Sequence, residues 1–263
     1  MVKYKRISKR HSRFKNVFLI ENTVTLRYIY RYIPLSSLTQ PIEFKEPSGW
    51  WDNLEKRFYC AEYNQQKYPD FPKKLYILCT TANRDSEAGW KMYKHHEDDH
   101  LIQIKINRKK FIEALSLYFK NEDVKIYEGK VNYDLKEAHI SKLHLPSYSK
   151  NVKGEIKNYP VAGHDKIFNN FDMDSYLSLL LLKRDAYRYE NEVRYFIVPS
   201  EGEKYNDYSV SIKQNWLDFV EEIRCSSEDQ DKVRETISNN NINLSVFDIN
   251  KGTYCGDEHI IIN

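Results

Sequence analysis

An α+β fold around a central, largely antiparallel sheet is what this sequence predicts, and three observations lead there. Runs with strand periodicity recur along the chain, at 24–33, 75–81, 101–106, 124–133 and 187–199. A few segments between them carry helical spacing instead, chiefly 108–119 and 175–184. Glycine is scarce at 8 residues, and neither Gly-x-Gly-x-x-Gly nor a Walker pattern occurs, which argues against a Rossmann dehydrogenase or a P-loop NTPase. Strands mixed with helices around one core make a single domain over 1–263, preceded by a basic arm at 1–15.

The elements follow in order. Leu26, Tyr28, Tyr30 and Tyr32 fall on one side of the first strand, which Pro34 ends, and 35–38 begins a short helix. Pro47-Ser48-Gly49 turns the chain before Trp51-Asp52-Asn53-Leu54-Glu55, where Asp52 opens a helix. The run 75–81 reads as a fully buried strand, and a short helix carrying Trp90 and Tyr93 follows the polar stretch 83–87. Asn107 caps the helix 108–119, whose Phe111, Ile112 and Leu115 share a face. The strand 124–133 contains Glu128-Gly129 as punctuation, and the weakly patterned stretch 145–172 reads as a long loop over the site. Asp174 caps a helix 175–184 that leads into the strand 187–199. Strands at 208–212, 219–225 and 244–248, with a helix at 227–238, close the chain.

Composition narrows the class. Charged residues are 30% and hydrophobic ones 41%, with mean hydropathy −0.73, the profile of a soluble cytoplasmic protein. The apolar run 17–20 stops at Glu21, too short for a signal-peptide core, and no segment is long enough to span a membrane. Four cysteines without Cys-x-x-Cys spacing fit a reducing compartment and no structural zinc. Residues 1–15 hold seven Lys or Arg and no acid, a charge that suits nucleic-acid phosphates or an acidic partner, or simply a solvated terminus.

The most informative stretch is Tyr189-Glu190-Asn191-Glu192-Val193-Arg194. Strand periodicity puts Glu190, Glu192 and Arg194 on one face, with the two carboxylates roughly 7 Å apart along the backbone. Like charges so placed suit a site that stabilises developing positive charge. On an inert wet face, Arg194 would instead neutralise Glu192.

Three strands present a constellation in chain order: Tyr30-Arg31, then Cys79-Thr80-Thr81 running into Trp90-x-x-Tyr93, then Glu190-x-Glu192. This resembles the ADP-ribosyltransferase superfamily, in its branch with an Arg, a Ser/Thr strand and a Glu-x-Glu strand. The chain also resembles an uncharacterised bacterial family with Tyr-x-Tyr-Arg, Cys-Phe-Ser, Trp-x-x-Tyr and Lys-x-x-x-Trp-x-x-Glu-x-Glu-x-Arg motifs. Those positions here read Tyr28 to Arg31, Cys79 to Thr81, Trp90 with Tyr93, and Lys183 to Arg194. Thr81 stands for the serine and Tyr187 for the tryptophan, while the Asn-Asp-Pro-Phe-Glu-like segment at 51–55 lacks its proline.

The resemblance implies a mostly antiparallel split sheet with flanking helices, and a mono-ADP-ribosyltransferase that consumes NAD and needs no metal. It implies Glu192 as the carboxylate facing the oxocarbenium-like ribose, Glu190 as the group that orients or deprotonates the acceptor, and Arg31 as the phosphate fork. Thr81 would hold the strand and Glu192 in place, and Tyr28, Tyr30, Trp90 and Tyr93 would complete the NAD site, the last three by stacking on flat rings. The superfamily further implies a bacterial toxin or antiphage effector acting on RNA, DNA or protein, with a neutralising antitoxin as partner.

Two other classes stay open. One is a non-catalytic nucleotide- or partner-binding module of the same fold, in which Glu192 is paired and occluded. The other is a metal-dependent nuclease using His95, His96 or His100 among Glu97, Asp98 and Asp99, although that spacing matches no known ligand pattern. No Gly-x-Ser-x-Gly elbow supports a serine hydrolase.

Overall fold

One large mixed sheet organises the computed structural model, which describes residues 7–20, 25–47, 74–84, 86–93, 100–135, 172–200, 208–240, 245–249 and 257–260. Its strands are β1 (Ser8–Arg10), β2 (Val17–Ile20), β3 (Tyr28–Pro34), β4 (Pro41–Lys45), β5 (Tyr76–Thr81), β6 (Leu101–Asn107) and β7 (Val124–Lys130). After the separate pair β8 (Asn132–Leu135) and β9 (Leu182–Arg184) come β10 (Glu192–Pro199), β11 (Ser209–Asn215), β12 (Val220–Ser226), β13 (Ser245–Ile249) and β14 (Asp257–Ile260). The order across the main sheet is β1-β2-β7-β10-β5-β3-β6-β12-β13-β14, with β4 bridging β5 to β11. Most pairings are antiparallel; β2 with β7, β8 with β9, and β12 with β13 are parallel. Helices are α1 (Glu87–Tyr93), α2 (Arg108–Tyr118), α3 (Met173–Leu179) and α4 (Gln230–Asn239). The α+β class predicted from the sequence is what the chain adopts.

The join at β5 positions the site. β10 pairs along β5 from Glu192 opposite Thr81 to Ile197 opposite Tyr76. On the other side, β3 meets β5 at Tyr30 opposite Thr81, while β4 takes up pairing further along at Lys45 opposite Ile77. The sheet therefore parts between β3 and β5 beyond that single pair.

Two apolar cores flank the sheet. The first packs Phe111, Leu115 and Val233 from α2 and α4 against Ile29, Ile104, Tyr195 and Ile223. Phe111 meets Tyr195 and Phe219 edge-on at 5.2 and 5.3 Å, within the spacing that aromatic pairs prefer. The second packs Leu177, Leu180 and Leu181 against Tyr127, Phe196 and Val198.

Several expected boundaries move. Asp172, not Asp174, caps α3, accepting from the Ser175 N–H at 2.9 Å; the Asp174 carboxylate instead takes the Ser8 hydroxyl at 2.6 Å and ties β1 down. That helix ends at Leu179 because the chain turns at Leu180 into β9. β7 continues through Glu128-Gly129, where a Cβ on Gly129 would lie 2.4 Å from a Leu181 methyl, so the glycine permits close packing and does not punctuate. Asn107 caps α2 as expected, with the Lys110 N–H at 3.1 Å. The helix opened by Asp52 and the loop at 145–172, except Asp172, lie outside the described residues.

Candidate active site at the parting of the sheet

The strand carrying the acidic motif begins at Glu192, later than its alternation suggests. Residues Asp185–Glu190 form a 3-10 turn, and Asn191 follows in the left-handed region at φ 43°, ψ 50°. Asparagine tolerates that conformation better than most side chains. The turn is fastened to the end of β5. Thr81 Oγ1 donates to the Glu190 carbonyl at 2.6 Å and accepts the Asn83 N–H at 2.9 Å. Asn191 Nδ2 donates to Asn83 Oδ1 at 2.8 Å, and Asn83 Nδ2 donates to the Tyr189 carbonyl at 2.7 Å. Glu190 and Glu192 thus share a site by way of this turn, not as i and i+2 of one strand. The expected role of Thr81 as a holding hydroxyl acquires a geometry: it grips the turn before Glu192.

Glu192 is 6% exposed and held from several sides. Arg194 Nε donates to Oε1 and Nη2 to Oε2, both at 2.9 Å, a bidentate fork on the same strand face. Lys183 Nζ, from β9, lies 3.5 Å from Oε2 and 2.6 Å from Glu190 Oε2. The Cys79 thiol donates to the same carboxylate, and the Glu192 N–H donates to the Tyr133 hydroxyl at 2.7 Å. Burial by itself would raise the pKa of Glu192, but the Arg194 and Lys183 charges outweigh it and hold the group at about 2.

That depression makes a stability prediction. Below the ordinary carboxylate value of 4.5 the unfolded chain takes up the proton first, so stability present above pH 4.5 is lost as pH falls towards 2. The contribution at neutral pH is about 3 kcal/mol. Melting temperature followed from pH 6 to 3 is expected to fall less steeply in Glu192→Gln than in the wild type.

Arg31 is the second charged group of the cleft. Its Nη1 donates to the Cys79 carbonyl and its guanidinium lies 5.7 Å from the Trp216 ring centre. No carboxylate among the described residues lies within ion-pair distance of it, and its buried Nε has no hydrogen-bond partner. Burial pulls its pKa down, the cost of a charge whose partner is not a fixed carboxylate. Arg31 makes no ion pair with Glu192; Arg194 neutralises that carboxylate, the pairing that strand alternation allowed.

Tyr30, Arg31 and Tyr32 from β3, Cys79, Thr80 and Thr81 from β5, Met92 and Tyr93 from α1, and Tyr189, Glu190 and Glu192 from the acidic turn enclose a cavity of about 180 Å3. Gly89 lets α1 seat directly on Tyr32, since a Cβ there would stand 2.6 Å from the ring. Tyr93 stacks on Tyr32 at 5.5 Å, and burial pushes the Tyr32 hydroxyl up to about 12. Of the residues singled out from the sequence, Tyr30, Arg31, Thr81, Tyr93, Glu190 and Glu192 converge here. Two do not line the cavity. Tyr28 lies beneath Lys105 and Arg27 at 4.4 and 5.0 Å, and Trp90 meets Tyr32 edge-on at 5.0 Å as an anchor of its helix. Tyr32, Cys79 and Lys183 join the site without having been singled out for it. The Tyr28, Tyr30, Tyr32 alternation and the motif lysine were the available signals.

His95 and His96 lie outside the described residues, and His100 bonds Asp229 at 2.6 Å. No group of three metal-ligating side chains occurs among the described residues, nor does any helix long and apolar enough to cross a membrane. No family model, curated protein or solved structure matches the chain.

Proposed function

We propose that this protein is an NAD-consuming mono-ADP-ribosyltransferase with an ADP-ribosyltransferase-like fold. The observation that carries the reading is the convergence of Arg31, Thr81 and Glu192, from three strands in that chain order, on one cleft where the sheet parts. The cavity of about 180 Å3 is smaller than sites that enclose whole drug-sized ligands, so it receives one end of the dinucleotide. In this reading the nicotinamide riboside enters between Tyr93 and Glu192, and Arg31 takes a phosphate oxygen, supplying the anion that its surroundings lack.

The bond from ribose C1′ to the nicotinamide nitrogen breaks, and its electron pair neutralises the pyridinium ring. The ribose acquires oxocarbenium character opposite the ionised Glu192. The acceptor then bonds to C1′ and gives up its proton, with Glu190 as the base. An ionised carboxylate accepts in about four directions, and Arg194, Lys183 and Cys79 address them all. A ribose hydroxyl enters by displacing the weakest donor, the Cys79 thiol.

Nucleic acid is the acceptor favoured by charge. Residues 1–15 carry seven of the 41 basic residues and no acid; the remaining 34 face 38 acids, so the chain without its arm is net negative by four. Of this arm, β1 lies at the sheet edge with Lys9 and Arg10 exposed. The biological setting proposed with this chemistry is a cytoplasmic toxin or antiphage effector held in check by a neutralising protein.

A specific observation favours a second reading. Glu192 is both paired and nearly occluded, as a non-catalytic nucleotide-binding module of this fold requires. Nicotinamide release from NAD by the purified protein, alone and with RNA, DNA or cell lysate, separates the two. Release supports the transferase. NAD binding by calorimetry without release under any of these conditions selects the module.

A further inference from the structure

The acidic turn and strand are joined by one cation whose position suggests a task of its own. We infer that Lys183 is a positioning residue of the candidate site, clamping the turn carboxylate of Glu190 to the strand carboxylate of Glu192 so that both face the cleft. This rests on the proposed transferase reading only for its consequence in turnover.

The geometry is specific. Glu190 precedes the left-handed Asn191 and Glu192 follows it, so the backbone alone does not place the two side chains on a common face. Lys183 Nζ reaches Glu190 Oε2 at 2.6 Å and Glu192 Oε2 at 3.5 Å. The side chains of Lys183, Glu190 and Glu192 are 12%, 9% and 7% exposed, so water screens their interaction little. The Lys183 stem is itself fixed, because β9 pairs with β8 and the ammonium lies 4.8 Å from the Tyr187 ring centre. Arg194 is committed to Glu192 through its fork and to the Leu180 carbonyl.

Among the described residues, the groups acting on Glu192 include Arg194 on its own strand, Lys183 on β9, Cys79 on β5, Arg31 on β3, Tyr93 on α1 and Tyr133 on β8, and Glu190 in the turn shares Lys183 with it. Of the cations, Lys183 is the one that also bonds Glu190. Removing it takes away an attractive charge and leaves the repulsion of Glu190. Glu192 then titrates higher.

The test follows the Glu192 side-chain carboxyl by NMR in 13C-glutamate-labelled protein, for wild type, K183M and K183R, beside the pH profile of nicotinamide release. K183M is expected to raise the titration of Glu192 and to move the acid limb of release upward, while K183R keeps both near wild type. An unmoved Glu192 titration in folded K183M overturns the inference, as does K183R behaving like K183M. The carboxyl titration needs no turnover, so it decides the role of Lys183 even if the protein releases no nicotinamide. If K183M does not fold, the wild-type ammonium decides. A 15N-lysine signal for Lys183 protected from exchange supports the clamp, and a freely exchanging one overturns it.

Discussion

Glu192→Gln is expected to lower nicotinamide release by about 10²–10³-fold, the usual consequence of removing one preorganised group that faces transition-state charge. The substitution also has a structural cost that must be separated from the chemical one. Arg194 is 1% exposed and makes its charged fork to Glu192, so an amide there leaves a buried guanidinium facing a single acceptor oxygen. Breaking a buried pair from one side costs about 3–5 kcal/mol. Exchanging both charges is far milder, because no uncompensated ion is left in the interior. Glu192→Gln should therefore melt several degrees below wild type, and the double variant E192Q/R194Q should recover much of that loss. Release should stay absent in the double variant. Thermal denaturation beside the release assay reads both quantities, and recovery of activity along with stability would assign Glu192 to architecture alone.

Glu128→Ala is expected to produce a loss of stability as large as that of Glu192→Gln. Glu128 is fully buried on β7 and accepts Arg108 Nε at 2.7 Å, Arg108 Nη2 at 2.6 Å and the Tyr195 hydroxyl at 2.7 Å. Arg108 begins α2 and also donates to the Leu26 carbonyl, so this one carboxylate joins α2, β7, β10 and the approach to β3. The alanine variant strands a buried cation and a buried hydroxyl on the face of the sheet that carries the first core. The expected cost is again about 3–5 kcal/mol, or roughly 6–20 °C in melting temperature for a chain of this size. Replacing Arg108, Glu128 and Tyr195 together by Met, Leu and Phe removes the same bonds without stranding either partner. It should cost much less, and differential scanning calorimetry on the two variants checks the difference.

Much of this architecture is legible in residue order, and the exceptions have physical causes. β3, β5, β6 and β10 are readable because each alternates or stays apolar over six residues or more, and α2 because Asn107 announces it. β1 and β2 are not, since three and four residues are too few to show a period and β1 is basic throughout its second half. β4 alternates plainly, with Ile42 and Phe44 inward, but five residues after a proline read as readily as a loop. β14 pairs antiparallel with β13 through residues whose sequence carries no strand signal.

The site was legible in its residue types and less so in its geometry. Arg31, Thr81, Glu190 and Glu192 stand out as residues, yet alternation assigns Glu190 to the strand, whereas Asn191 ends that regularity one residue earlier. A single left-handed residue is invisible to periodicity. Lys183 begins the motif, but its role was hidden for a different reason: its partners lie seven and nine positions on, beyond any local spacing rule, and only the fold of β9 against β8 brings it there.

The most direct test of the transferase reading follows the label from adenine-labelled NAD into macromolecule, with wild type and Glu192→Gln incubated with RNA, DNA and a protein lysate in separate reactions. The account predicts acid-stable incorporation into nucleic acid that requires Glu192 and falls when the basic residues of 1–15 are neutralised. Folded wild-type protein that transfers no label to any of the three, and releases no nicotinamide, would contradict it.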